Sequence, residues 1–312
     1  MRTAYPVRET SARDVTTDQN WSTVPKPRNL NPAYRFAAGV VRPVVRRVTK
    51  QDWSGHEHIP ADGGFLLCVN HISYVDVFGF AHFAFDSGRE PYLLGKESVF
   101  RIPVGGRILT KAGMIPVYRE SGQAADAFRA AVAAVREGKC VAIYPEGTLT
   151  RDPDLWPMAG KTGAARVALE TRCPVIPVAQ WGAQEILGRY EKKFRLFPRK
   201  TMRLRAGPPV ELSDLYDEPM SAPVLREATD RIMAAITREL EVLRGEQAPK
   251  TRFDARAAGL PPIGRFRPED ARRGAASEPS TRDDNQSLVP SPEPTAGDED
   301  GTVTTNEREE LA

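Results

Sequence analysis

Between Pro60 and Val210, apolar runs of four to six residues alternate with longer stretches of helical spacing, and this rhythm constrains the fold more than any other feature. The short runs predict strands at 65–69, 92–94, 114–118, 140–144, 175–179 and 202–206. The stretches between them predict helices at 73–85, 104–111, 124–137, 161–171 and 183–190. A last amphipathic helix is expected over 222–244, with Leu225, Ile232, Ala235, Ile236, Leu240 and Leu243 along one side. The fold class is therefore α/β, a mixed, largely parallel sheet flanked by helices.

The flanks differ from this middle. Residues 1–30 are polar, with Pro25 and Pro27 near their end, and residues 247–312 are rich in Pro, Arg, Ser, Thr and acids. Both are expected to be disordered, because they cannot bury enough apolar surface to offset chain entropy. One folded domain is expected over 31–246. At its start, residues 33–50 set Phe36, Val40, Val41, Val44, Val45 and Val48 among Arg35, Arg42, Arg46, Arg47 and Lys50, with no acid. Two outcomes fit this basic amphipathic segment: an interfacial helix on an anionic lipid surface, or a helix packed on the domain with solvated arginines. Pro43 is expected to kink it.

Charge and cysteine content exclude several classes. The net charge of +3 gives no general support for nucleic-acid binding, and its sign changes along the chain: beyond Arg273 only Arg282 and Arg308 oppose ten acids. No run approaches the ~18 apolar residues of a membrane span, and the first 30 residues lack a secretory apolar segment. Cys68, Cys140 and Cys173 form no CxxC pair; Cys68 and Cys140 read as small buried hydrophobes. These features point to a cytoplasmic protein.

Chemistry is concentrated at strand ends. In Val69-Asn70-His71-Ile72-Ser73-Tyr74-Val75-Asp76, a histidine follows an apolar run and an aspartate lies five residues on. A neutral histidine can take a proton from a hydroxyl, and an aspartate on its other ring nitrogen fixes the tautomer. Five helical residues turn roughly 500°, so the pair meets only if His71 lies ahead of the helix. The competing role for Asp76 is a capping box, Ser73-x-x-Asp76.

Other strand ends carry candidate ligands for an anion. Tyr144-Pro145-Glu146-Gly147-Thr148 could share a sheet rim with His71, and the glycine permits close backbone approach. Gly113 to Arg119 ends a strand with an arginine suited to phosphate. Gly160-Lys161-Thr162-Gly163 opens a helix but lacks the first glycine of a nucleotide loop, Leu155 standing there. Arg189, Lys192, Lys193, Arg195, Arg199 and Lys200 interleave with Tyr190, Phe194, Leu196 and Phe197, a mixture that fits a lipid or single-stranded nucleic-acid surface, or a solvated loop. No Gly-x-Ser-x-Gly elbow occurs, and His56-x-His58 has no evident third metal ligand, so neither a serine hydrolase nor a metal site is expected.

Taken in order, Asn70-His71 with Asp76, Gly113 to Arg119, Pro145-Glu146-Gly147-Thr148 and Val175-Ile176-Pro177-Val178 resemble the four blocks of the glycerolipid acyltransferases that include 1-acylglycerol-3-phosphate acyltransferase. The resemblance covers roughly residues 33–244. It implies that His71 deprotonates the hydroxyl of a lysophospholipid acceptor, which attacks an acyl thioester, with Asp76 orienting the base. Acyl-CoA or acyl carrier protein would be the donor, with no cofactor, metal or nucleic acid. It implies that Arg119, Glu146, Gly147 and Thr148 bind the acceptor, with Lys161 near its phosphate. Many members place an arginine directly after Glu-Gly-Thr; here that residue is Leu149, with Arg151 two positions later, so either Arg151 substitutes for it or the acceptor carries another headgroup. The implied product is phosphatidic acid, made at the inner face of the cell membrane by a peripheral enzyme. A lipid-binding module of the same fold without catalysis is the alternative.

Overall fold

A computed structural model describes residues 32–96, 101, 107, 110, 114–117 and 123–260. Seven strands form one sheet: β1 (Thr49–Ser54), β2 (Phe65–Val69), β3 (Pro91–Lys96), β4 (Ile115–Val117), β5 (Cys140–Ile143), β6 (Val175–Trp181) and β7 (Lys200–Ala206), in the order β1-β7-β6-β2-β5-β3-β4. Strands β2 to β6 are mutually parallel, whereas β7 runs antiparallel to β6 and carries β1 alongside it. The α-helices with described bounds are α1 (Pro32–Val48), α2 (Asp76–Asp86), α3 (Gln123–Arg136), α4 (Gly163–Thr171), α5 (Ala183–Ile186) and α6 (Ala222–Arg244).

Strand β2 stands in the middle of the sheet, and all five of its residues are buried, the pattern of a parallel strand covered on both faces. Because side chains alternate, Leu66 and Cys68 join a core with Val141, Val175, Ala131, Ala165, Ile232 and Ile236, under α3, α4 and α6. Phe65, Leu67 and Val69 join the opposite core with Ile176, Leu204, Phe80 and Phe83, under α2. Each such fully buried large side chain contributes about 1.5–3 kcal/mol. The three cysteines are buried and unpaired.

Several expectations change. Strand β1 was not expected; it begins at Thr49 within the basic segment, and its side chains alternate buried and exposed only at Thr49, Trp53 and between. Helix α1 continues through Pro43, which stands on its exposed side, where the missing N–H leaves the carbonyl of exposed Gly39 to solvent. Helix α2 starts at Asp76 instead of residue 73, and α5 is a single turn instead of reaching 190. The folded domain does not stop at 246: Ala248 N–H donates to Glu241 Oε1 at 2.8 Å, Ala159 N–H donates to the Phe253 carbonyl at 2.9 Å, and Leu260 is buried. The expected disorder of 1–30 and of 261–312, and most of the helix expected at 104–111, lie outside the described residues.

Candidate functional site

The parallel register of β2, β5 and β6 brings their carboxyl ends to one edge: Cys68 lies opposite Ile143, and Val69 opposite Val178. Loops leaving such an edge form the usual ligand crevice of open α/β sheets. Asn70, just past the end of β2, ties that strand end to β6 through side-chain amides. Its Oδ1 accepts from Gln180 N–H at 2.8 Å, its Nδ2 donates to the Gln180 carbonyl at 3.1 Å, and its own carbonyl accepts from Gln180 Nε2 at 2.7 Å. That buried exchange fixes the point from which His71 departs.

His71 is in the connection ahead of α2, as the pairing with Asp76 requires. Its Nδ1 lies 3.1 and 3.0 Å from Asp76 Oδ1 and Oδ2. The same Oδ2 accepts from Ile72 N–H at 2.9 Å and Ser73 N–H at 3.0 Å. The two roles open for Asp76 in the sequence are therefore filled together: one carboxylate ties the turn and holds the ring. Asp76 is fully buried while the His71 side chain keeps 19% exposure. Tyr144 stacks on the imidazole, ring centroids 4.2 Å apart, and burial pushes its hydroxyl well above the usual range, so it meets the ring uncharged.

Glu146 anchors the backbone of this loop. Its Oε1 accepts from His71 N–H at 3.0 Å and its Oε2 from Met158 N–H at 3.1 Å, while Thr150 N–H donates to the His71 carbonyl at 2.7 Å. Glu146 is 1% exposed, so both oxygens serve the protein instead of presenting a surface to an acceptor. Burial raises its carboxyl to about 7, against the donated hydrogen bonds. Burial alone would lower the pKa of His71, but the adjacent Asp76 carboxylate, assisted by Glu146, holds it above the usual 6.5.

The other expected ligands separate. Gly147 has φ +68°, open to glycine at little cost, and the Lys161 ammonium lies directly over it, so that a Cβ there would stand 2.9 Å from Nζ. Lys161 is exposed and its N–H donates to the Pro145 carbonyl at 2.8 Å. Thr148 is half-buried next to Tyr190. Arg151 is fully buried, close enough to Tyr190 and Arg189 to act on both electrostatically, and Thr150 Oγ1 beside it donates to the Trp156 carbonyl at 2.6 Å. Arg119 lies outside the described residues.

The family model described as Acyltransferase matches residues 50–181, which span the strand-end loops just described. The 1-acyl-sn-glycerol-3-phosphate acyltransferase of Bacillus subtilis is 26% identical over 189 residues, 60% of this chain and 86% of that protein. Its counterpart in Borreliella burgdorferi is 34% identical over 128 residues, 40% of this chain and 48% of that protein. A chloroplastic enzyme of the same name from Brassica napus is 29% identical over 140 residues, 44% of this chain and 39% of that protein. The match thus spans less than half the length of the latter two relatives. The crystal structure of the 1-acyl-sn-glycerophosphate acyltransferase from Thermotoga maritima shares the fold, with a TM-score of 0.53 at 20% identity over 69% of this chain and 83% of that one.

Residues 50–181 of this chain are thus similar to that acyltransferase family, and the fold is shared with the Thermotoga maritima enzyme. Within residues 50–181, the arrangement suits proton transfer: Nδ1–H is donated to Asp76, which leaves the Nε2 lone pair to accept a proton. Among the described residues no group of His, Cys, Asp and Glu is placed to hold a metal ion. Thr150, Met158 and Gln180 carry no motif in the sequence; only their backbone and amide bonds to the His71 loop reveal their part.

The Glu146 network has a measurable consequence. Glu146→Ala leaves the His71 and Met158 N–H groups buried without acceptors and is expected to lower stability by about 2–4 kcal/mol. Since the folded carboxyl titrates near 7 against the usual 4.5, its protonated form favours folding. The sign follows: this contribution is complete below about 4.5 and is lost as pH rises through about 7. Chemical denaturation of the wild type and Glu146→Ala over that window should show the wild type losing stability with rising pH and the variant losing less.

Proposed function

We propose that the protein transfers an acyl group from acyl-CoA or acyl carrier protein to the free hydroxyl of 1-acylglycerol-3-phosphate, giving phosphatidic acid for phospholipid synthesis. The observation that carries this is the His71–Asp76 pair on the sheet's carboxyl edge, with Nδ1 at 3.0 Å from the carboxylate. His71 Nε2 removes the acceptor's hydroxyl proton as the oxygen attacks the thioester carbonyl. The tetrahedral intermediate then expels the thiolate, which takes the proton back from the imidazolium. Asp76 keeps the base in the reactive tautomer and stabilises its charged form. No acyl-enzyme is needed.

The exposed Lys161 ammonium over Gly147 fits the acceptor phosphate, and Arg119 belongs to the same proposal through its motif. Tyr74, in the turn ahead of α2, and Phe78, in its first turn, are both exposed and offer apolar surface near Asp76 for an acyl chain. Helix α1 supports a peripheral position on the inner membrane face. Its inward side buries Tyr34 and Val45 against the domain, while Phe36, Val40 and Val44 form an exposed stripe flanked by Arg35, Arg46 and Arg47. Among the described residues no helix is long and apolar enough to cross a membrane.

The test is transfer from radiolabelled acyl-CoA to lysophosphatidate, read by product mobility; folded protein that acylates no lysolipid and no glycerol phosphate would sink the reading. Lys161→Ala is expected to raise KM for lysophosphatidate about tenfold with a smaller change in kcat, because an exposed cation on a phosphate contributes mainly to binding.

A further inference from the structure

The connection between α5 and β7 is rich in basic and aromatic residues that the proposed chemistry does not use. Residues 189–200 hold six Lys and Arg residues against one acid, Glu191, which is itself paired with Arg195 at 2.7 Å. Phe194 and Phe197 are 57% and 76% exposed, the second being the most exposed large hydrophobic side chain among the described residues. Exposed phenylalanines carry a hydration cost that water does not repay, and their position among lysines matches an anionic apolar interface.

The segment is held at both ends. At its start, the Leu187 carbonyl accepts from Ser73 Oγ at 2.7 Å, Arg189 Nη1 donates at 2.7 Å to the Thr150 and Asp152 carbonyls, and Tyr190 meets Tyr74 edge-on. These contacts attach it to the His71 loop. At its end, Arg199 donates to the carbonyls of Arg46 and Thr49, at the carboxyl end of α1. The aromatic tip is thus carried between the catalytic edge and the exposed, arginine-flanked helix.

We propose that Phe194 and Phe197 insert into an anionic phospholipid bilayer, with Lys192 and Lys193 on its headgroups, as a second docking point that sets the His71 edge against the membrane. This rests on the proposed reaction only for its purpose; the docking itself is independent of catalysis. An acidic carrier protein would suit the lysines, but two exposed phenylalanines, on a segment joined through Arg199 to the end of the helix that exposes Phe36, Val40 and Val44, favour a bilayer.

The experiment is co-sedimentation of the full chain with vesicles of phosphatidylcholine alone or mixed with phosphatidylglycerol. Phe194→Ser/Phe197→Ser is expected to lower partitioning onto the mixed vesicles about tenfold, with an unchanged melting temperature. Lys192→Ala/Lys193→Ala should cause a similar loss on mixed vesicles and none on phosphatidylcholine. Transfer to vesicle-borne lysophosphatidate should fall with partitioning in the Phe194→Ser/Phe197→Ser protein, whereas transfer to a monomeric short-chain lysophosphatidate should not. Unchanged partitioning of that variant overturns the proposal, as does intact vesicle binding accompanied by lost capture of an acidic acyl carrier protein. A wild type that binds vesicles through these residues yet acylates nothing would sink the proposed reaction and leave the docking point standing.

Discussion

His71→Ala is expected to reduce acyl transfer by about 10²–10⁴-fold, the range of a lost general base, while the protein stays folded. The scaffold around this residue uses its backbone. Glu146 accepts from the residue 71 N–H, Thr150 donates to its carbonyl, and Asp76 keeps the Ile72 and Ser73 N–H groups, all of which an alanine leaves in place. What is lost locally is the stack on Tyr144, about 1 kcal/mol, and the bond from Nδ1 to the buried Asp76 carboxylate, about 1–3 kcal/mol. Single-turnover transfer together with a thermal melt separates the two effects. A rate within a few-fold of wild type would show that the side chain is not the base.

Asp76→Asn should cost up to about 10⁴-fold in rate at little cost in stability, by a tautomer argument. Asp76 Oδ2 already receives two backbone N–H groups, so the single oxygen of an asparagine must take that place. The amide NH₂ then stands where Oδ1 was, 3.1 Å from His71 Nδ1, and donates to it. The imidazole proton is driven to Nε2, which no longer accepts a proton from the hydroxyl. The pH profile carries a second signature. Wild-type kcat/KM should fall on the acid side with a midpoint above 6.5, because Asp76 holds the histidine pKa up against burial. Removing that charge lowers the pKa, so residual activity of Asp76→Asn should persist to lower pH. A limb that stays in place would mean that Asp76 does not set the base.

The α/β class was legible because buried parallel strands need unbroken apolar runs, and Phe65–Val69 shows one at its simplest. Helix α6 was legible from residue 222 to 244 because its apolar side repeats with helical period and Gly245 ends it in the left-handed conformation, φ +66°. Strand β1 was not, since Thr-Lys-Gln-Asp-Trp-Ser at the sheet's edge carries only a partial alternation, and its pairing with β7 supplies what the local sequence lacks. Residues 247–260 looked too polar to fold, yet they dock by backbone bonds and by the Arg252–Asp230 pair, which composition does not register.

Within the site, spacing established that His71 and Asp76 could meet, and residue chemistry offered a candidate base and candidate anion ligands on neighbouring strand ends. Periodicity also marked the basic, valine-rich face of α1. Only the tertiary structure decided that Asp76 both ties the turn and orients the ring, that Glu146 pins the His71 backbone, and that Arg151 is fully buried while Lys161 lies over Gly147. The reason is physical: a motif specifies which groups can bond, but Glu146 and His71 lie 75 residues apart, and which of their possible bonds form depends on the register between strands.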